Sequence, residues 1–231
     1  MKILALDTST SACSVAYWAD GALQADQFAE MARGQSEHLV PMIQSLLSTC
    51  GVTMQDMDMI AVSTGPGAFT GVRIGLATAR GLALASGLPV RGVTSLEAVA
   101  HGVPADERSG RGVLALIDSK RDDVFAQLFD ADLSPVGEPQ ALSPDDVISY
   151  CQKHGLPVAL AGDAAERMVD HGLSDAGMDV VASSSLHPQA AVIAAIAVER
   201  GAPTKDDVSP APVYLRPPDV KIRADGGRLR P

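Results

Sequence analysis

Residues 60–87 read IAVSTGPGAFTGVRIGLATARGLALASG, and the fold turns on how that stretch is read. Its first four residues, 60–63, form a short apolar run of the kind a buried strand needs. Thr64-Gly65-Pro66-Gly67 then breaks the chain, because glycine reaches positive φ without a steric cost. From 70 to 86 alanine, leucine and arginine favour helix, and Gly87 suits the position just past its end. At 100° per residue Gly71, Gly75, Thr78 and Leu82 share one side, and Arg73 and Arg80 lie opposite. The small side admits a neighbouring backbone. The scarcity of polar residues elsewhere predicts a helix buried over most of its circumference. The glycines fit two uses, close packing in a βα unit or an anion site at a helix N-terminus. No Lys-Ser/Thr follows Gly71, so this is not a Walker A loop. Two arginines within the segment argue against a membrane span.

The rest of the composition narrows the class. The chain has 231 residues, 46% hydrophobic but only 3% aromatic, so its core is built from Ala, Val, Leu and Ile. The net charge of −10 disfavours unaided binding to nucleic acid or anionic membrane. Cys13, Cys50 and Cys151 are far apart and odd in number, which fits a reducing compartment and no zinc pattern. The apolar run after Lys2 is too short for a signal peptide. A soluble cytoplasmic protein is expected.

Working outward, residues 2–7 (KILALD) read as a doubly buried strand and 8–11 as a polar turn. Residues 13–19 form a second strand, Asp20-Gly21 a type I′ hairpin turn, and 22–28 a third strand. A helix follows between Gly34 and Gly51, with Ser36 as its expected cap. Leu39, Val40, Met42, Ile43, Leu46, Leu47 and Cys50 span an arc of about 160°, wider than the roughly 100° stripe of an ordinary surface helix. The first half thus reads βββαβα. A boundary falls in the polar stretch 101–112, dividing the chain into subdomains 1–103 and 104–231. The order then repeats: strands at 112–118 (GVLALID), 124–129 and within 135–142, a helix from Ser143-Pro144 to about 154, a strand at 156–161 and a helix at 164–171. A further helix occupies 188–200. The pairs Asp122-Asp123, Asp145-Asp146 and Asp206-Asp207 read as solvated turns or helix starts. From about 203 the tail is proline-rich, and Lys221, Arg223, Arg228 and Arg230 make it basic: either a disordered end or a segment that orders against a partner or RNA.

A duplicated βββαβα pattern with DTST at 7–10 resembles the actin-like/sugar-kinase/Hsp70 (ASKHA) superfamily, an α/β fold of two subdomains. STGPGAFTGVRIGLATARGLA, SEHLVPMI at 36–43 and VYLRPP at 213–218 make the chain resemble the TsaB (YeaZ) family over essentially its whole length. That resemblance implies a scaffold or dimerization subunit, not itself an enzyme. It would bind and activate TsaD in threonylcarbamoylation of the N6 atom of the adenosine beside the anticodon, in tRNAs reading codons that begin with A. It further implies TsaE, the ATPase of the complex, as a partner, tRNA contact only through the complex, and no cofactor. Two rivals are a stand-alone ASKHA ATPase or kinase and a glycoprotease-like metallopeptidase. TsaD binds its metal through an HxxxH pair whose positions fall here at Ser95 and Val99, neither a good ligand. None of His38, His101, His154, His171 and His187 forms an i, i+4 pair. Asp7, Thr8 and Ser9 match the superfamily's first nucleotide loop. Gly162 and Asp163 match the second, where a carboxylate would repel phosphate. Both loops are expected to be vestigial.

The partner surface is expected on the first two helices. His38, Leu39, Met42 and Leu46 of the first, with Arg73, Leu76 and Arg80 of the second, would give an apolar contact rimmed by arginine. Since TsaD shares the fold, like helix pairs could meet in a pseudo-twofold contact, and the lone chain would form a homodimer through the same face.

Overall fold

The computed structural model describes residues 1–108, 110–154, 157–173, 178–181, 185–204 and 207–216. The basic residues of the tail, Pro217, Pro218 and Asp206 lie outside the described residues. The chain opens with β1 (Ile3–Asp7), β2 (Ala12–Ala19) and β3 (Ala22–Glu30), an antiparallel meander. Asp20 and Gly21 have φ of 53° and 79°, the left-handed pair that a type I′ turn demands. Helix α1 (Gln35–Cys50) begins at Gly34, whose φ of 100° takes the cap that was expected of Ser36. The glycine carbonyl accepts the first turn's N–H groups of Glu37 and His38. β4 (Met59–Ser63) then leads through a turn with a cis Gly65–Pro66 bond into α2 (Phe69–Ser86), closed by Gly87 at φ 73°.

Each half adds a fifth strand that the βββαβα pattern omits. In the first it is β5 (Val90–Val93), followed by α3 (Ser95–His101). The second half runs β6 (Gly112–Asp118), β7 (Val124–Phe129), β8 (Gln140–Leu142), α4 (Pro144–His154), β9 (Val158–Ala161), α5 (Ala165–Met168), β10 (Asp179–Val180) and α6 (Ala190–Arg200). The two sheets have orders β3-β2-β1-β4-β5 and β8-β7-β6-β9-β10, with identical parallel and antiparallel relations. The fold is therefore a duplicated α/β unit. Ser143 caps α4 as expected, exchanging hydrogen bonds with Asp146 at 3.2 and 2.6 Å. The expected helix at 164–171 shortens to α5 and continues as a wide turn, Val169–Leu173, because Gly172 takes a φ of 109°.

Two inner helices cross between the halves. α3 ends the first half but buries Leu96 and Val99 against the second sheet. α6 follows the second sheet yet lays Ile193, Ala194 and Ala197 on Ile3, Ala5 and Ala61 of the first. On the outer side of the first sheet, α1 and α2 cover Leu4, Leu6, Val15 and Val62 with Leu39, Ile43, Leu46, Val72 and Leu76. α2 buries only that one face, a correction to the all-round burial expected from composition. Among the described residues no helix or strand covers its outside, where Arg73, Ala77, Arg80, Leu84 and Ala85 are exposed.

The glycine stripe of α2, with Gly67 of the preceding turn, does bring backbones together. A Cβ at Gly67 would overlap the Ser9 carbonyl, one at Gly71 the Thr8 carbonyl, and one at Gly75 would lie 2.8 Å from the Thr8 hydroxyl oxygen. Gly81, by contrast, has nothing within 4 Å of its would-be Cβ. In urea denaturation, Gly71→Ala should therefore cost about 1–3 kcal/mol through overpacking. Gly81→Ala, on the open side of the same helix, should stabilise by about 0.5–1 kcal/mol.

Candidate functional site

The β1–β2 turn is the place where a superfamily nucleotide loop would lie, and Thr8 and Ser9 there are engaged within the chain. The Thr8 hydroxyl donates to the Gly71 carbonyl at 2.7 Å, and the Ser9 carbonyl accepts from the Ala68 N–H at 2.7 Å. Asp7 is fully buried. Its Oδ1 accepts from the Ser9 N–H at 3.1 Å, the Ser9 hydroxyl at 2.6 Å and the Ser63 hydroxyl. The Ser95 hydroxyl, arriving from α3, donates to Ser9 Oγ at 2.8 Å. Burial pushes the Asp7 carboxyl above the usual range, against the pull of the Ser63 and Ser9 donors and of His187.

In the second half, Gly162 at φ 107° lets the chain pass so close to β6 that a Cβ would overlap the Leu116 carbonyl. Asp163 follows it into the cleft. Its Oδ1 accepts from the Asp118 N–H at 2.7 Å, and its Oδ2 lies 3.8 Å from His187 Nδ1. Desolvation raises its pKa, and the Asp118 hydrogen bond and His187 oppose the shift. His187 stacks on Phe28 with centroids 6.3 Å apart and lines a cavity of about 210 Å³ with Val99, Gly102 and Gln189. Within the described protein, Asp7 Oδ2, Thr10 Oγ1 and His187 Nδ1 have no hydrogen-bond partner.

Neither group that the superfamily implies fits these residues. A phosphate at the first loop would compete with the Gly71 carbonyl for the Thr8 hydroxyl and with the Asp7 carboxyl for the Ser9 N–H and hydroxyl, and at the second it would meet the Asp163 carboxyl. At the positions of the TsaD metal pair, Ser95 is fully buried and bonded to Ser9, and Val99 offers no lone pair. Among the described residues no group of three or more His, Cys, Asp or Glu is placed to hold a metal. No described helix is long and apolar enough to cross a membrane. Among the described members of the acid pairs, Asp123 is engaged by Ser119 and Arg216, Asp145 by His171, Asp146 by Ser143, and Asp207 by Thr204 and Arg91.

The seven residues expected on the partner surface divide. Leu39, Leu46 and Leu76 are at most 2% exposed and belong to the chain's own core. They cannot form a contact surface: the wide apolar arc of α1 is largely consumed by the first sheet and α2. His38, Arg73 and Arg80 are exposed, and Met42 is half-buried. Val40, Phe69 and Leu84, which the expected set omits, are 43%, 49% and 89% exposed. Both arginines already hold chain: Arg73 Nε donates to the Tyr214 hydroxyl at 2.8 Å, and Arg80 to the Pro210 carbonyl at 2.6 Å. Of the cleft residues, Ser63 and His187 carry no local motif. Only the duplicated topology brings them beside Asp7 and Asp163.

Two sheets of matching strand order, each with its helices, make the ASKHA-type α/β fold. A ROK hexokinase from Thermus thermophilus shares the fold, with a TM-score of 0.52 over 87% of this chain and 100% of that one at 13% identity. The family model for TsaD, tRNA N6-adenosine threonylcarbamoyltransferase, matches residues 29–206. The solved structure of YeaZ from Pseudomonas aeruginosa superposes with a TM-score of 0.74 at 30% identity, covering 93% of this chain and 99% of that one. The tRNA threonylcarbamoyladenosine biosynthesis protein TsaB of Escherichia coli is 44% identical over 125 residues, 54% of this chain and 53% of that protein. The chain belongs to the TsaB/YeaZ family. It spans about half the length of the first curated TsaB relatives it matches.

The buried carboxyls set a pH dependence. A folded-state pKa raised above the unfolded value gives stability that is full below the ordinary value of 3.8 and is lost as pH rises through the folded value. Denaturant midpoints of the wild-type chain should therefore fall from pH 4 toward pH 7 on this account. Asp7→Asn keeps an acceptor for Ser9 and Ser63 and removes the charge. Its midpoint should fall less over that interval and exceed the wild-type value at pH 7.

Proposed function

We propose that this chain is a non-catalytic docking subunit for TsaD in the threonylcarbamoylation of tRNA adenosine. The observation that carries this reading is the division of labour on α2. Its glycine face fills the turn that would cradle a nucleotide, and its opposite face presents Arg73, Arg80 and the fully open Leu84 to solvent. α1 lies against it with Val40 exposed. An apolar and arginine-bearing helical surface is the composition that interface centres favour. TsaD, built on the same duplicated fold, offers a like helix pair. A contact of the two pairs would be pseudo-twofold, and the lone chain would dimerise through the same face. The chemistry would belong to TsaD and nucleotide turnover to TsaE. tRNA would be met in the complex, in the cytoplasm, because a net charge of −10 opposes unaided binding.

No specific observation favours an ATPase or a peptidase. Both need groups that the cleft residues cannot hold, for the reasons already given.

The test replaces exposed residues, since Leu46→Glu would charge the core and unfold the chain. Val40→Glu and Leu84→Glu should leave the thermal midpoint essentially unchanged and weaken TsaD binding, measured by calorimetry, at least tenfold, or about 1.4 kcal/mol. The same variants should shift any homodimer to monomer in sedimentation. Leu23→Glu, on β3, is the control. Full TsaD affinity in both α1 and α2 variants would overturn the assignment of the face.

A further inference from the structure

We propose that residues 207–216 form a strap that locks the second half of the molecule to the first and sets the opening of the cleft between them. This goes beyond the docking role and does not depend on it. The strap is fastened to the first half at four places. Asp207 pairs with Arg91 of β5 at 3.7 Å, and Pro210 sits where a Cβ on Gly92 would touch it at 3.0 Å. Arg80 of α2 holds the Pro210 carbonyl, and the Val213 N–H donates to the Thr64 carbonyl at 2.8 Å. Next to these, Tyr214 stacks on Phe69 with centroids 5.4 Å apart, and the Arg73 guanidinium lies 3.7 Å from the Phe69 centroid.

The next two residues of the same segment reach the second half. Leu215 packs into the cluster of Leu96, Val113, Ile117 and Phe125. Arg216 forms an ion pair with Asp123 and donates to the Ser119 hydroxyl oxygen at 3.3 Å, both in the β6–β7 turn, with its guanidinium 5.7 Å from the Phe125 ring centroid. That turn is the second half's counterpart of the Thr8–Ser9 turn. The strap therefore ties the β6–β7 turn of the second half to β5, α2 and Thr64 of the first, outside the crossings made by α3 and α6. Its fastenings are mostly polar and lie near the surface, with Asp207 and Tyr214 exposed. Such a segment detaches at far lower cost than a core element. Pro210 and Pro212 limit the conformations it loses on reattaching.

The experiment measures the distance between spin labels at Ala85 and Gln152, both exposed, in the full chain carrying Cys50→Ser. Cys13 and Cys151 are buried, and desolvation pushes their thiols up to about 12 and about 11, so they stay unlabelled. Arg216→Ala should broaden the distance distribution and speed amide exchange at Val213 at least tenfold, because releasing one end loosens the other. Tyr214→Ala with Arg80→Ala, a pair of surface changes that leaves the core intact, should do the same from the opposite end. Exchanging the charges, Arg216→Asp with Asp123→Arg, should restore the narrow distribution. A distribution as narrow as the parent's in both released variants overturns the proposal, as does broadening that the charge exchange fails to reverse.

Discussion

The seating of the α2 glycine stripe on the β1–β2 turn is the contact on which the rest of the molecule depends. Gly67, Gly71 and Gly75 bring the helix so near that Thr8 bonds the Gly71 carbonyl and Ser9 the Ala68 N–H. Three consequences follow from that one approach. The Thr8 hydroxyl and the Ser9 N–H and hydroxyl are taken up within the chain. Asp7 is sealed from solvent with Ser9, Ser63 and Ser95 around it. The helix is rotated so that its arginines and Leu84 face outward, available to other chain segments and other molecules. The turn serves as a packing joint for α2, and the opposite side of the helix is left exposed.

The second half repeats the topology but solves the same junction differently. There the helix after the fourth strand is short, Ala165–Met168, and cannot fill the turn as α2 does. A carboxylate fills it instead: Asp163 takes the Asp118 N–H and faces His187. Burying two carboxyls, one from each half, costs stability that grows as they ionise. The donors to Asp7 and Asp163 offset part of that cost. Within each half the buried carboxyl is held by the chain's own donors, Ser9 and Ser63 for Asp7 and the Asp118 N–H for Asp163.

Much of this was legible in the residues. The strands of both meanders, the Asp20-Gly21 turn, the Ser143 cap and the glycine exit of each long helix follow from short-range rules, and all lie where those rules put them. The glycine stripe announced a close approach, though not to which backbone. Burial was harder, because an apolar composition does not say whether a layer covers it. Leu39, Leu46 and Leu76 went to the core, and Leu84, at the same hydropathy, to the surface. Ser36 looked like a cap because serine usually is one, yet Gly34 takes a left-handed φ more cheaply. The contacts of Arg73 and Arg80 with residues more than a hundred positions later left no local signal at all. VYLRPP was visible as a motif, but that Tyr214 meets Arg73 and Arg216 meets Asp123 is a property of the folded chain.

The central claim is that this chain contributes a surface and no chemistry of its own. The most direct measurement supplies tRNA and preformed threonylcarbamoyl-adenylate to the purified chain alone, to TsaD alone and to the two together, and scores modified adenosine by mass spectrometry of the digested tRNA. The account predicts no modification by this chain alone, and modification that requires TsaD and rises when the chain is added. Modified tRNA from this chain in the absence of TsaD would contradict it.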